Sequence, residues 1–413
     1  MDFTHRIIFL IALLLLVSIL ASIITEKAGC PLLLIFLILG MVAGKDGLGG
    51  ILFENYVIAH FIGILALAVI LFDGGLKTKM KTFKMGLYPA ISLSTIGVLI
   101  TSLLTGLLSA WILHISWIKG MLLGAILAPT DVAAVFSLSD LRKIGIDQHI
   151  IRTIEIESGS NDPMSIFMTI TLINLLAADE NTLNWHIMPH FLINMGLGAI
   201  LGILGGYIIV KLVNYIKLPN DLYPILVMSG GLLIYAFTQL IEGNGFLAIY
   251  LAGLIIGNSE LKTANNIFNI HNSLAWLSQI SMFLMLGLLV TPSELWPQVK
   301  ISLIIAFILI FIARPIATYL CLLPFQFNNR QLIFISWVGL KGAVPIILAL
   351  FPSLSGIADA KVYFHITFFV VLISLTIQGW TVIPLARFLK LTGLMKNKIS
   401  EKESINLEYK NDK

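Results

Sequence analysis

Charge is scarce in this sequence. Asp, Glu, Lys and Arg fill only 12% of its 413 positions, about half the share usual in a soluble domain. That shortage excludes a chain that folds in water around one core. Cysteine is nearly absent too: Cys30 and Cys321 are the only two, and their wide separation implies no disulfide framework. The basic residues are spread thinly along the chain, so nucleic acid has no patch to bind. No Gly-x-Ser-x-Gly elbow surrounds Ser158 or Ser160, which leaves a membrane hydrolase without its nucleophile motif. "GKDGLGG" at 44–50 lacks the spacing of a phosphate-binding loop and reads as a flexible outer turn. We therefore expect no enzyme and no cofactor.

What the sequence has in excess is apolar residues, 58% of the whole. They recur in runs long enough to cross a bilayer. The fold class expected is an all-α polytopic membrane protein of about thirteen transmembrane helices. Candidate spans are 7–25, 31–44, 56–73, 85–108, 110–137, 156–178, 190–215, 222–240, 245–260, 272–291, 300–323, 331–350 and 362–389. The first run has the look of a signal peptide, but Glu26 and Lys27 occupy the cleavage region and a second span follows. A retained helix is the better reading.

The placement of Lys and Arg orients these spans, because cytoplasmic loops carry the excess. With the N-terminus outside, 19 of the 26 basic residues fall on inner segments and five on outer ones. Arg314 and Lys341 are left inside spans. We expect a multi-pass protein of the plasma (inner) membrane with a cytoplasmic C-terminus. Residues 1–396 form the membrane domain, and 397–413 read as a short polar tail.

An ionisable group at mid-bilayer costs about 2.5 kcal/mol or more, so it marks a pathway or a partner. Asp131 lies in "GAILAPTDVAAVF", Glu157 and Asp162 in "ESGSNDPMS", Arg314 in "IFIARPIATYL" and Lys341 in "WVGLKGAVPIILAL". Asp73, in "VILFDGGLKTK", sits near a span end and reads as an interfacial or capping residue. His60 and His365 lie in spans and read as packing or interfacial groups rather than pH sensors. Purely structural pairing of the buried acids and bases is the bland alternative.

Two features point beyond it. Pro129 precedes Thr130 and Asp131 in the fifth span, and Gly339, Gly342 and Pro345 surround Lys341 in the twelfth. Interrupted helices at membrane depth are tolerated where they line a cavity, and paired interruptions mark transporter sites. Spans five and twelve are seven apart and cross in opposite directions, as inverted repeats require. Second, Ser158 and Asp162 share one helix face, as do Glu157 and Asn161. Pro163 has no N–H and is expected to open backbone beside Asp162. Hydroxyl, amide and carbonyl oxygens around one carboxylate suit a hard cation.

At these residues the chain resembles the monovalent cation:proton antiporters of the NhaP type. "ESGSNDP", "APTDVAAVF", "LFDGGL", "ARPIAT" and "GLKGAVPI" match that family's motifs in order, from about residue 60 to 390, and look most like its potassium/proton branch. The resemblance implies an NhaA-like fold with inverted repeats and two crossed, interrupted helices. It implies Asp162 as the exchanged carboxylate, Asn161 as its partner, and Ser158, Glu157 and the Thr130 backbone completing the site. Asp131 would stabilise the crossed helices, Arg314 would pair with Glu157, and Lys341 would offset dipoles and acid charge. Lys341 stands where many relatives carry Arg. The resemblance also implies a homodimer, with spans 4–6 and 11–13 carrying the ion and spans 1–3 and 7–10 as scaffold.

The function expected is one-for-one, electroneutral exchange of protons for K+ or Na+, with Li+ a further candidate, by competition at Asp162 and alternating access. A cation channel using the same polar site is the alternative. The residues do not discriminate between the cations.

Overall fold

The computed structural model describes residues 3–28, 31–131, 144–177, 187–357 and 359–392. Cys30, residues 132–137 at the end of the expected fifth span, Arg142, Lys143 and the 397–413 tail lie outside the described residues. Within them every extended element is helical, and the single isolated β-bridge joins Gly44 to Ile51.

The helices are α1 (Phe3–Ala28), α2 (Leu32–Ala43), α3 (Tyr56–Lys77), α4 (Met80–Ser92), α5 (Val98–Leu113) and α6 (Trp117–Leu127). There follow α7 (Gln148–Ala177), α8 (Ile187–Tyr215), α9 (Leu222–Leu240), α10 (Gly245–Gly257) and α11 (Ala264–Leu289). The last group is α12 (Val299–Phe307), α13 (Arg314–Leu322), α14 (Asn329–Trp337), α15 (Ala343–Leu348) and α16 (Ala360–Phe388). Among the described residues seven helical stretches are long and apolar enough to cross a membrane, and five shorter apolar helices accompany them, two before the first and three between. α7 is in neither group, because the polar run at 157–162 dilutes it. The fold is that of an integral multi-pass membrane protein.

Span ends shift from the sequence reading for local reasons. The fourth span runs on to Leu113 and turns at His114, whose φ of 51° is left-handed. Ser116 then caps α6. α7 begins eight residues before the expected span, which places Arg152 inside the helix, 3.8 Å from Glu155. α11 likewise begins eight residues early, at Ala264.

Pro163 does not break α7, which is continuous from Gln148 to Ala177. The ring removes one backbone bond and leaves the Gly159 carbonyl without its usual donor. Neighbouring helices hold the segment together: the Asn244 side chain donates to the Pro163 carbonyl at 3.2 Å.

Two widened turns were not expected. Leu93–Gly97 joins α4 to α5 and Ile308–Ala313 joins α12 to α13, both as π-helix. The second precedes Pro315, whose ring pushes on the Phe311 carbonyl; a looser turn relieves that clash. Each π-turn packs against the other's span, the first on α13 and the second on α5. The fourth and eleventh spans thus share a device seven spans apart, as inverted repeats require.

Close packing fixes the frame around the site. α5 and α6 are the most extensively packed pair. Gly120 and Gly124 let their backbones approach, as small residues four apart do in lipid. α4 and α6 both lie along α7, while α10 packs on α3 and α8, and α11 on α2 and α3.

Candidate ion site

The two interruptions meet. α6 ends at Leu127 and 128–131 have no regular secondary structure, while α14 ends at Trp337 and 339–342 have none before α15 begins. The two unwound pieces bond directly, Asp131 N donating to the Leu340 carbonyl at 2.8 Å. Unwinding frees carbonyls at the end of α6, and Lys341 takes them: its Nζ donates to Ala128 at 2.9 Å and Pro129 at 3.2 Å. The cation therefore sits at the negative end of α6, where the dipole favours it. On the other side of the crossing, a Cβ on Gly342 would run into the Asp131 carboxylate. Only glycine lets that carboxylate lie against the start of α15.

α7 brings the acids to this crossing. Ser158 donates to the Thr130 carbonyl at 3.2 Å. Asn161 gives its amide to the same carbonyl at 3.4 Å and to the Thr130 hydroxyl at 2.5 Å. Asn161 thus ties α7 to the unwound segment rather than donating to the neighbouring carboxylate. Asp162 is only 5% exposed, and its Oδ1 has no hydrogen-bond partner among the described residues. The charges acting on it are Asp131, of like sign, and Lys341, of opposite sign. Asn161 Oδ1 is likewise buried without a partner among the described residues.

Glu157 and Arg314 form a buried ion pair. Nη1 of Arg314 lies 2.6 Å from Oε1 of Glu157, and both side chains are almost wholly buried. Arg314 also packs on Gly339, where a Cβ would fall about 3.0 Å from Cζ and 3.1 Å from Nη2. The guanidinium therefore links α13, α7 and the break after α14.

All eight residues singled out in the sequence — Thr130, Asp131, Glu157, Ser158, Asn161, Asp162, Arg314 and Lys341 — lie in this connected cluster. The others do not. Asp73 pairs with Lys77 near the end of α3, and Lys77 also donates to Asn272 at 2.8 Å. His60 packs edge-on to Phe351, and His365 stands 3.9 Å from Glu294. Among the described residues no cluster of His, Cys, Asp or Glu could hold a transition metal.

Three further groups escaped the sequence reading. Lys341 N donates to Ser374, Ser374 to Gln378 at 2.5 Å, and Gln378 to the Trp337 carbonyl at 2.8 Å. That chain pins both ends of the break to α16. Asn244 caps α10 while holding Pro163. Tyr250 lays its ring on Gly159, where a Cβ would come within 2.9 Å. The available signal was an amide inside an apolar run, Gln378 in "LTIQGW", which must find a partner when buried.

Comparison with known proteins gives a consistent picture. The family model described as "Sodium/hydrogen exchanger, transmembrane" matches residues 11–388. The chain is 48% identical over 391 residues to the K(+)/H(+) antiporter NhaP of Alkalimonas amylolytica, covering 95% of this chain and 68% of that protein. It is 49% identical over 381 residues to the K(+)/H(+) antiporter NhaP2 of Shewanella sp. (strain ANA-3), covering 92% and 66%. This chain thus spans about two thirds of the length of those relatives. The structure of the sodium proton antiporter MjNhaP1 from Methanocaldococcus jannaschii at pH 8 superposes with a TM-score of 0.81 at 23% identity, covering 94% of this chain and 99% of that one.

Proposed function

This chain belongs to the sodium/hydrogen exchanger family, whose members are antiporters rather than enzymes, and on that premise we propose that it exchanges protons for monovalent alkali cations at Asp162. The observation that carries the reading is Asp162 itself, a buried carboxylate whose Oδ1 has no hydrogen-bond partner among the described residues, while the cluster's other acid on α7, Glu157, lies against a guanidinium. Glu157 has Arg314, Lys341 has two carbonyls, and the Ser158 and Asn161 donors are turned to Thr130. The Asp162 Oδ1 is instead held ready, buried without a donor among the described residues.

Three acids and two bases leave the cluster with one negative charge. One proton or one alkali cation neutralises it. A bare charge crossing the hydrocarbon is expensive, so the loaded forms move and the unloaded form does not. That difference couples the two fluxes and makes them one for one and electroneutral. The bundle of α4–α7 and α12–α16 moves against a scaffold of α1–α3 and α8–α11. The scaffold also forms the contact of a homodimer. The basic residues on alternate loops support an outside N-terminus and a cytoplasmic C-terminus in the plasma membrane.

The cation ligands are Asp162 with the oxygens of Ser158, Asn161 and Thr130, and Glu157 and Asp131 set the surrounding field. The names of the relatives at 48–49% identity favour K+ as one substrate, and Na+ competes for the same oxygens. The test is proton release from proteoliposomes on adding K+, Na+ or Li+, for wild type and Asp162→Asn. Wild type releases protons with K+, and the variant falls to the leak of protein-free vesicles. Undiminished exchange in a folded Asp162→Asn protein would remove the carboxylate from the mechanism.

A further inference from the structure

Serine and threonine in a membrane helix ordinarily donate their hydroxyl to the carbonyl four residues back. This protein follows the habit widely: Thr153 donates to His149 at 2.9 Å, Thr238 to Ile234 at 2.7 Å, and Thr376 to Leu372 at 2.7 Å. Ser165 and Thr169 of α7 depart from it. Both are 0% exposed, and neither hydroxyl has a partner among the described residues. A buried hydroxyl left unpaired destabilises the fold, and each such group calls for a physical reason.

Their positions supply one. Ser158, Asp162, Ser165 and Thr169 follow the i, i+4, i+7, i+11 spacing of a single helix face. The hydroxyls therefore continue the ion site along α7 toward its Ala177 end, and Thr169 lies about 10 Å beyond Asp162. The fourth span carries the line on. It runs parallel to α7, since Gly86 lies against Arg152 and Ser102 against Met168, sixteen residues further along each helix. On α5, Thr105 and Ser109 occupy the same face as Ser102. Both are fully buried, and both hydroxyls are again without a partner among the described residues. In the parallel register they fall level with residues 171 and 175, past Thr169.

We propose that Ser165, Thr169, Thr105 and Ser109 line the path by which water and the partly dehydrated cation pass between Asp162 and the Ala177 end of α7. This rests on the antiport reading. Neutral hydroxyl oxygens suit such a path, because they replace part of a hard cation's hydration shell and without charge they release it again. The cluster at the crossed breaks supplies affinity, and the hydroxyls supply passage. Ser165, one turn from Asp162, also bears on the apparent cation affinity.

The experiment uses the full chain in proteoliposomes with K+ as the probe. Thr169→Val keeps the shape and removes the hydroxyl, Thr169→Ser keeps the hydroxyl, and Ser165→Ala removes the nearer one. We expect Thr169→Val to lower the maximal exchange rate at least tenfold. Thr169→Ser keeps at least half of it, and Ser165→Ala raises the K+ concentration for half-maximal exchange severalfold. The thermal midpoint of Thr169→Val stays level or rises, because an unpaired buried hydroxyl is gone. Exchange within twofold of wild type in both Thr169→Val and Ser165→Ala overturns the proposal and leaves the hydroxyls as packing groups. A second measurement covers a valine variant that does not fold. In a protein with Cys30 and Cys321 replaced by serine, Thr169→Cys is treated with a membrane-impermeant cationic thiol reagent from the Ala177 side. Modification supports the path, and protection under turnover conditions overturns it. Wild type without exchange, or Asp162→Asn with it, would count against the antiport reading instead, and the labelling result would still report on the path.

Discussion

Arg314 Nη1 and Glu157 Oε1 stand 2.6 Å apart, with side chains 4% and 2% exposed. Of the contacts at the site, this one joins two charges that would otherwise be stranded in the bundle. Such a pair adds little net stability, yet removing one partner leaves a buried charge and costs about 3–5 kcal/mol. Glu157→Gln and Arg314→Met should each lower the thermal midpoint of the purified protein clearly. The double variant should lose less than the two single losses added together, and additive losses would show that the pair is not the relevant unit.

Lys341 tests the break in the other direction. Its Nζ serves the Ala128 and Pro129 carbonyls, and a buried polar group stripped of its partner costs about 1–3 kcal/mol. Lys341→Met should therefore destabilise the protein by a few kcal/mol and abolish exchange. A folded Lys341→Met protein with wild-type stability would mean that water or another donor already satisfies the α6 terminus.

Gly342 and Gly74 form a matched comparison. A Cβ at Gly342 meets the Asp131 carboxylate, whereas one at Gly74, inside α3, meets nothing within 4 Å. Gly342→Ala should reduce exchange at least tenfold by displacing that carboxylate from the crossing. Gly74→Ala should leave exchange alone and stabilise α3 by roughly 0.5–1 kcal/mol. Equal effects at the two positions, read by transport and melting, would contradict the steric argument.

Asn244 should matter more than an end-of-helix residue usually does. It caps α10 by accepting from Leu247 N at 3.0 Å, and it donates to Pro163 at the level of the ion site. Loss of a cap alone costs about 1 kcal/mol. Asn244→Ala should exceed that and also slow exchange, whereas Asn244→Asp, which keeps the cap but not the donor, should retain stability better than activity.

One-for-one exchange has a direct electrical signature. With wild-type protein in proteoliposomes, an imposed membrane potential should leave the K+/H+ exchange rate unchanged. A rate that varies steeply with potential would show that more than one charge moves per cycle.

Much of this site was legible in the sequence because ionisable groups are so costly in hydrocarbon. Asp131, Glu157, Asp162, Arg314 and Lys341 stand out from apolar runs without any coordinates, and Gly and Pro beside two of them signal the interruptions. Asn161 and Ser158 follow from helical spacing. Other elements were not legible. Pro163 reads locally as a helix breaker, yet α7 continues through it, and Asn244, eighty-one residues away, donates to its carbonyl. The π-turn at Leu93–Gly97 carries no pattern of its own, and Pro315 is the one local signal for that at Ile308–Ala313. Ser165 and Thr169 read as ordinary helix hydroxyls until their missing backbone bonds are seen.

The sequence by itself determined that the chain lives in a bilayer and which few residues carry charge inside its apolar runs. Those properties follow from composition and period, which act residue by residue. Only the tertiary structure decided which oxygen each donor takes: Asn161 goes to Thr130, Lys341 to the α6 carbonyls and Arg314 to Glu157. Those choices join segments far apart in the chain, and directional bonds of about 3 Å are settled by how the helices cross.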